Sequence, residues 1–194
     1  MSTSPPSRAF TPDDLLKMPD GNRYELVEGQ LIEDAVSNES AWIATEIAGL
    51  LREYARGGTG GPRGFAFGDG LQLRCFPADP DRVRKPDASY FSSARFKPEM
   101  LAQSYCSVAP ELAVEVVSPN DVYYEIERKV FEYLDAGVLL VWVVSPESRT
   151  VVAYDAQQNI EHRTSSQLLT GGDVLPGFEC RVEAFFPTSG SVVR

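Results

Sequence analysis

The chain has 194 residues, and its hydrophobic content of 43% predicts a single domain with a sizeable core. Its 18 basic and 28 acidic residues give a net charge of -10, which disfavours nonspecific binding to nucleic-acid phosphates. No apolar run is long enough to span a membrane, and residues 1–8 lack an apolar core, so we expect neither a signal peptide nor a membrane anchor. We expect a disordered lead-in at 1–9, one domain at 10–187 and a tail at 188–194.

The cysteines and the single histidine limit the kinds of catalytic and metal site that this chain can form. Cys75, Cys106 and Cys180 lie far apart and fit neither a C-x-x-C pair nor a disulfide framework, which suits buried thiols in a reducing cytoplasm. Because His162 is the single histidine, the chain cannot form a zinc site with two histidine ligands, nor a Ser-His or Cys-His relay that uses another histidine. Because His162 lies in a short polar segment, we expect it to be exposed at a strand edge. If the chain is an enzyme, its chemistry therefore rests on carboxylates and lysine.

The first half of the chain shows capping residues, turn signals and both hydrophobic periodicities. Thr11 followed by Pro12 and two acidic residues is typical of a helix start, and apolar residues between Trp42 and Tyr54 recur at helical spacing. Glycine and proline are concentrated at 57–64, which predicts a loop. In chain order we predict a capped short helix from Thr11, a hairpin of 24–27 with 30–34, a long helix at 39–56, strands at 65–67, 71–76 and 86–91, and a short helix at 98–103.

The second half contains the clearest signals for secondary structure. A nearly continuous apolar run, typical of a buried central strand, contains one charged residue, Glu115. The strand–helix–strand order around it predicts a parallel crossover at the centre of the sheet. The predicted elements are strands at 112–117 and 139–144, a helix at 122–135 capped by residues 118–121, and two paired strands at 150–154 and 159–163.

Glu115 and Asp87 are the candidate metal ligands. A carboxylate inside a buried strand is costly unless it is paired or binds a cation. Near the end of its strand, Glu115 opens onto the sheet edge where α/β sites commonly form, and Asp87 follows Pro86 at the start of another predicted strand. These carboxylates, with the backbone carbonyl of Val116 and waters, suit Mg²⁺ or Mn²⁺. The alternative is that Glu115 bonds to a neighbouring arginine.

Lys129 is the candidate cation at this site. It lies about two turns into the predicted helix, from which its ammonium group reaches back over the strand end. A cation there stabilises the charge that develops on a phosphoryl group, or holds the attacking water. The alternative is an ordinary solvated lysine on a helix surface. Arg82, Arg84 and Lys85 precede Asp87 and predict a positive lip beside the site, which locally offsets the acidic charge of the chain.

Four sequence blocks follow one another in an order that is more specific than any one of them. The blocks are Arg23-Tyr24-Glu25-Leu26-Val27-Glu28-Gly29, Lys85-Pro86-Asp87, Glu111-Leu112-Ala113-Val114-Glu115-Val116-Val117-Ser118-Pro119, and Lys129-x-x-x-Tyr133-x-x-x-Gly137-Val138. Together with the strand that ends in Ser145-Pro146, they resemble the Uma2 (DUF820) family of restriction-endonuclease-like proteins. The resemblance extends from about residue 10 to 187, which is nearly the whole chain.

The resemblance implies a PD-(D/E)xK fold of the α/β (α+β) class, with a mixed central sheet flanked by helices. It also implies an endonuclease that uses Mg²⁺ or Mn²⁺, bound by Asp87 and Glu115, to hydrolyse DNA. In many nucleases of this fold a lysine lies two residues after the glutamate, where this chain has Val117. The family lysine has moved to the helix, at the position of Lys129. The residues implied to lie behind these ligands and orient them are Glu25, Ser118 and Glu125.

The chain also departs from the family pattern. Members commonly carry a histidine at the start of the first long helix, where this chain has Ser37-Asn38-Glu39-Ser40. Glu125 stands where an acidic residue often precedes the helix lysine by four, and packing of the hairpin or an arginine pair is an alternative role for Glu25.

Alternative functions follow from the missing histidine and the net charge. The first is a weakly active or inactive nuclease fold that binds a protein or nucleic-acid partner, and the second is a hydrolase of a smaller phosphoester. Association of acidic copies into a homo-oligomer is another way to build a positive groove for DNA.

Overall fold

The computed structural model describes residues 9–34, 36–57 and 61–187. The expected tail and all but one residue of the expected lead-in lie outside these ranges. The α-helices are α1 (Pro12–Lys17), α2 (Asn38–Arg56) and α3 (Tyr123–Asp135), and short 3₁₀ helices lie at Gly21–Arg23, at Pro98–Ala102, where a short helix was predicted, and at Val182–Phe185. The strands are β1 (Tyr24–Val27), β2 (Gln30–Glu33), β3 (Gly64–Phe67), β4 (Ala88–Ser92), β5 (Leu112–Val116), β6 (Leu140–Ser145), β7 (Thr150–Asp155), β8 (Ile160–Thr164), β9 (Leu168–Gly171) and β10 (Leu175–Arg181).

Six strands form the central mixed sheet, in the order β3-β4-β5-β6-β7-β8. β5 and β6 are parallel and are connected by α3, whereas all other neighbours in this sheet are antiparallel. The predicted parallel crossover is therefore confirmed. His162 lies on the edge strand β8 and is exposed, as expected. No helix in the described ranges is long and apolar enough to cross a membrane.

The two long helices cover opposite faces of the central sheet. Val114 of β5 packs in the cluster that contains the apolar face of α2. Ala113 packs in a second cluster with Val130 and Tyr133 of α3. Because successive residues of a strand point to opposite faces, Glu115 lies on the same face as Ala113, under α3. This arrangement is the mixed sheet flanked by helices that the sequence predicts.

Two expectations about local structure are wrong. Residues 71–76 form no regular strand and make only isolated bridges through Leu73, because the segments beside them are loops that offer no extended ladder. Ser118 and Asp121 do not cap α3. The Asp121 carboxylate instead accepts a hydrogen bond from the backbone N–H of Ser118 at 2.7 Å and closes a turn, and the helix begins after Val122 without a side-chain cap.

Candidate active site

Asp87 and Glu115 meet at one edge of the sheet because β4 and β5 are antiparallel. Ala88 pairs with Val114, so the residue before β4 lies beside the end of β5. The backbone N–H of Val116 donates a hydrogen bond to Oδ2 of Asp87 at 2.6 Å. The structure therefore brings the two predicted carboxylates together, and the main chain of β5 fixes the orientation of one of them.

Glu115 is buried, and both of its carboxylate oxygens accept hydrogen bonds from α3. Lys129 Nζ donates to Oε2 at 3.0 Å, and the Tyr133 hydroxyl donates to Oε1 at 2.7 Å. Lys129 and Tyr133 are four residues apart and thus share one face of the helix. The charged partner of Glu115 is a lysine rather than an arginine, and this lysine is mostly buried rather than an ordinary solvated one, because its side chain is only 16% exposed.

A chain of buried ion pairs lies behind the strand carboxylate. Glu25 Oε2 lies 3.3 Å from Lys129 Nζ and 2.7 Å from Nη1 of Arg84. Glu25 Oε1 accepts a hydrogen bond from the backbone N–H of Lys85 at 2.9 Å. Arg84 also contacts Glu132 of α3 at 2.6 Å. Glu25 thus both pairs with an arginine and touches the candidate lysine, so it links the first hairpin to the site.

The prediction that Arg82, Arg84 and Lys85 form a positive lip is wrong. The side chains of these three residues are 12%, 2% and 4% exposed, and each lies against carboxylates. The pairs are Arg82 with Asp79 and Glu132, Arg84 with Glu25 and Glu132, and Lys85 with Asp34 and Asp69. Because their charges are neutralised inside the fold, they hold the segment before β4 in place and do not offer a surface for phosphate.

Ser118 and Glu125 lie differently with respect to the carboxylates. The Ser118 hydroxyl donates to Oγ of Ser40 at 3.1 Å and so ties the end of β5 to the first turn of α2. This contact occupies the region where family members commonly carry a histidine. Glu125 is exposed on α3, and within the described ranges it makes no ion pair with Lys129. Ser118 therefore supports the strand end, and Glu125 is not brought to the site.

Burial and charge set the protonation of these groups. Burial, and then the charge of Glu115, raise the pKa of Asp87 well above its ordinary value. Burial also raises the pKa of Glu115, although Lys129 opposes this shift. Burial disfavours the ammonium of Lys129, but Glu115 and Glu25 outweigh it and raise the pKa. Burial likewise opposes ionisation of Glu25, but Lys129 and Arg84 outweigh it and lower the pKa. The lysine thus stays charged, while Asp87 and Glu115 repel each other.

The two carboxylates suit a divalent cation in type and number. Within the described ranges, no group of three or more His, Cys, Asp or Glu side chains is placed to hold a metal ion. Mg²⁺ needs only one or two carboxylates, however, because it keeps waters and takes phosphate oxygens of the substrate. Oδ1 of Asp87 accepts no hydrogen bond from a described residue, so it remains free for such a ligand role. The repulsion between Asp87 and Glu115 is the feature that a cation would relieve.

Asp87 opens onto a cleft of about 380 Å³ between α2 and the turn after β3. One wall consists of the small side chains and the single arginine on one face of α2. The lining residues are Val36, Ala41, Ala44, Thr45, Ala48, Gly49, Arg52, Gly68, Asp69 and Asp87. Among the two carboxylates, the cleft is lined by Asp87, whereas Glu115 lies behind it, beneath α3.

Tyr133 is a site residue that the sequence interpretation did not assign to the site. The sequence feature that could have revealed it is the spacing of four residues from Lys129, which places both side chains over the same strand. Burial, and then the charge of Glu115, raise the pKa of Tyr133 well above its ordinary value, so it remains a hydrogen-bond donor.

The substitution Tyr133→Phe is expected to lower the free energy of unfolding by about 1.5–3 kcal/mol, because the ionised Glu115 loses a buried donor. Tyr90→Phe is the matched control, since the Tyr90 hydroxyl is bonded to the neutral carbonyl of Arg63, and about 0.5–1.5 kcal/mol is expected there. Urea denaturation measures both. Equal losses in the two variants would contradict a special role for the bond to Glu115.

Comparisons with known proteins agree with the fold. A family model described as "Uma2: Putative restriction endonuclease" matches residues 12–183. A crystal structure of a "putative nuclease belonging to DUF820" from Anabaena variabilis is similar, with a TM-score of 0.72 and 22% sequence identity. The match covers 91% of this chain and 97% of that chain, and at this identity it speaks for the fold alone. No protein with a curated description matches.

Proposed function

The chain belongs to the Uma2 family of restriction-endonuclease-like proteins, and from this membership and the geometry of the site we propose that it is an endonuclease dependent on Mg²⁺ or Mn²⁺ that hydrolyses DNA phosphodiester bonds. The observation that carries the proposal is the meeting of Asp87, Glu115 and Lys129 at one sheet edge. Two carboxylates can hold a divalent cation, and one fixed ammonium can stabilise developing charge, so the set suits phosphodiester hydrolysis at a metal site.

In this proposal Asp87 and Glu115 bind the cation, together with the backbone carbonyl of Val116 and waters. A Mg²⁺ or Mn²⁺ ion held by these residues would supply polarisation of a phosphoryl oxygen and a lower pKa for a coordinated water. The Val116 N–H holds Oδ2 of Asp87 in place, which leaves Oδ1 as its available ligand atom. Lys129 and Tyr133 fix the carboxylate of Glu115, and each of its oxygens keeps a lone pair for a further contact.

Lys129 acts on the developing charge of the phosphoryl group. Its ammonium stays protonated because Glu115 and Glu25 lie against it, so it can donate to the attacking water or to a phosphate oxygen. Glu25, itself fixed by Arg84, keeps the lysine from turning away from the strand end. Lys129 on α3 thus takes the role of a lysine on the strand, where this chain has Val117. The backbone N–H of Val117 donates to the carbonyl of Val144 in the sheet.

A second candidate function is a nuclease fold with little or no activity that binds a protein or nucleic-acid partner. The observation in its favour is that Arg82, Arg84 and Lys85 are paired with carboxylates inside the fold, so these three residues add no positive surface beside the site in an already acidic chain. This candidate expects neither metal binding nor cleavage. A homo-oligomer that joins positive surfaces of several copies would remove the objection to DNA binding.

Cleavage of supercoiled and single-stranded DNA in Mg²⁺ or Mn²⁺ tests the proposed function. Wild-type protein is expected to cleave, and Lys129→Ala is expected to lose about 10²–10³-fold in kcat, because a donor to the developing charge is gone. Lys17→Ala, which removes an exposed lysine at the end of α1, is the matched control. Circular dichroism of each variant verifies that it is folded. Equal rates for wild type and Lys129→Ala would contradict the role of the lysine, and no cleavage with any metal would favour the binding module.

A further inference from the structure

Arg52 is the basic side chain that lines the cleft beside Asp87. It is exposed on α2, and it makes no ion pair or hydrogen bond with any residue in the described ranges. In this respect it differs from Arg82, Arg84 and Lys85, which are all paired with carboxylates. Its charge is therefore available to a ligand, and the ligand that matches an unpaired guanidinium is an anion such as phosphate.

Arg52 and the candidate active site share one cleft along α2. The first turn of α2 lies at the end of β5, because Ser40 and Ser118 are hydrogen-bonded there. Arg52 and Asp87 line the same cleft, and because side chains on a helix lean toward its N-terminus we expect the guanidinium to extend along the cleft wall toward that edge. The cleft thus has an acidic end that suits a cation and, further along α2, a basic group that suits a phosphate.

Gly49 supplies an independent observation about the same wall. A glycine in the interior of a helix is less favourable than alanine by about 1 kcal/mol. An added Cβ at Gly49 would meet no heavy atom within 4 Å, so packing against the rest of the fold does not require a glycine. A bare backbone at this point lets a bound chain approach α2 closely, next to the turn that Arg52 covers.

We propose that the cleft is the groove for one DNA strand, in which Arg52 binds a backbone phosphate beside the scissile one and Gly49 leaves room for that strand against α2. The inference rests on the proposed function, because it assigns the substrate groove of that same site. Arg52 is a positioning residue in this arrangement. It holds the strand so that the scissile phosphate reaches Asp87 and Glu115, and it takes no part in bond cleavage.

Kinetics of Arg52 variants test the assignment. We expect Arg52→Ala to raise the KM for cleavage, and the Kd for a fluorescein-labelled single-stranded oligonucleotide in Ca²⁺, by about 10-fold, with little change in kcat. The slope of log Kd against log salt concentration should fall by about 0.7 for the lost phosphate contact. Arg52→Lys should recover part of the affinity. Arg56→Ala, on the same helix but outside the cleft lining, should behave like wild type.

A second pair of variants tests the groove without changing charge. Gly49→Phe should obstruct the cleft and raise KM strongly, whereas Gly49→Ala, which adds only one methyl group, should raise KM much less, and both should fold because the space at Gly49 is open. If the wild type cleaves DNA but Arg52→Ala matches Arg56→Ala, or Gly49→Phe matches Gly49→Ala, the groove assignment is overturned and the proposed function stands. If the wild type neither binds nor cleaves DNA, the proposed function itself fails and this inference fails with it.

Discussion

Asp87→Asn is expected to reduce DNA cleavage by about 10³-fold or more, because the cation contributes several kcal/mol to the transition state. Asparagine is nearly isosteric with aspartate, and its side-chain oxygen can still accept the hydrogen bond from Val116 N–H. The fold around the end of β5 is therefore retained while the charge is lost. Cleavage rates in Mn²⁺, measured beside Asp173→Asn at an exposed position remote from Asp87, check this expectation. Comparable rates for Asp87→Asn and wild type would contradict metal binding by Asp87.

The same variant is expected to be more stable than wild type when metal is absent and the pH is high. Burial and the charge of Glu115 raise the pKa of Asp87 in the folded state. A raised carboxyl pKa gives stability that is present below the ordinary aspartate pKa and is lost as the pH rises through the folded pKa. Melting temperatures in EDTA between about pH 4 and about pH 9 should therefore show an advantage of Asp87→Asn that grows with pH. An unchanged difference across this range would contradict the repulsion between Asp87 and Glu115.

Arg84→Met is expected to lower the free energy of unfolding by about 3–5 kcal/mol, because it removes the buried cation shared by two carboxylates and leaves the network with an excess negative charge. Arg84 lies against Glu25 and Glu132, and its own side chain is 2% exposed. Urea denaturation measures the change. A variant that no longer unfolds cooperatively fits the same expectation, and adding Glu25→Gln should then recover part of the stability because it removes one uncompensated charge.

Arg23→Met is the matched control for Arg84→Met. Arg23 and Glu33 also form an ion pair, but their side chains are 62% and 54% exposed, so solvent screens the interaction. A loss of about 1 kcal/mol or less is expected in this variant. Similar losses in the free energy of unfolding for Arg84→Met and Arg23→Met would contradict the idea that the buried network around Glu25 fixes Lys129 over the strand end.

Much of the fold could be predicted from local patterns. The helix α1 has the Thr11 cap and the first-turn proline that its sequence indicates, and the apolar run around Glu115 is the buried parallel strand that was expected. The hairpin of β9 and β10 was not predicted. Its register shifts between Leu175 and Glu179, so the alternation of apolar and polar residues that marks a strand is interrupted there.

The site was accessible to sequence reasoning only where the topology is simple. The crossover through α3 and the antiparallel pairing of β4 with β5 bring Lys129 and Asp87 to Glu115. Whether the basic residues before Asp87 are exposed or buried depends instead on acidic partners from distant segments, and the local sequence does not reveal which residues form ion pairs. Those partners are Glu25, Asp34, Asp69 and Glu132. For this reason a basic run that resembled a phosphate-binding surface is in fact buried structure.

Direct binding of Mn²⁺ tests the central claim that Asp87 and Glu115 form a metal site. Isothermal titration of metal-free wild type should show about one Mn²⁺ per chain, held by one or two carboxylates as such ions commonly are. Asp87→Asn and Glu115→Gln should each lose this binding. Glu125→Gln, at an exposed acidic residue on α3 away from the two carboxylates, should keep it. Absence of binding to the wild type, or equal binding to wild type and the two carboxylate variants, would contradict the metal site.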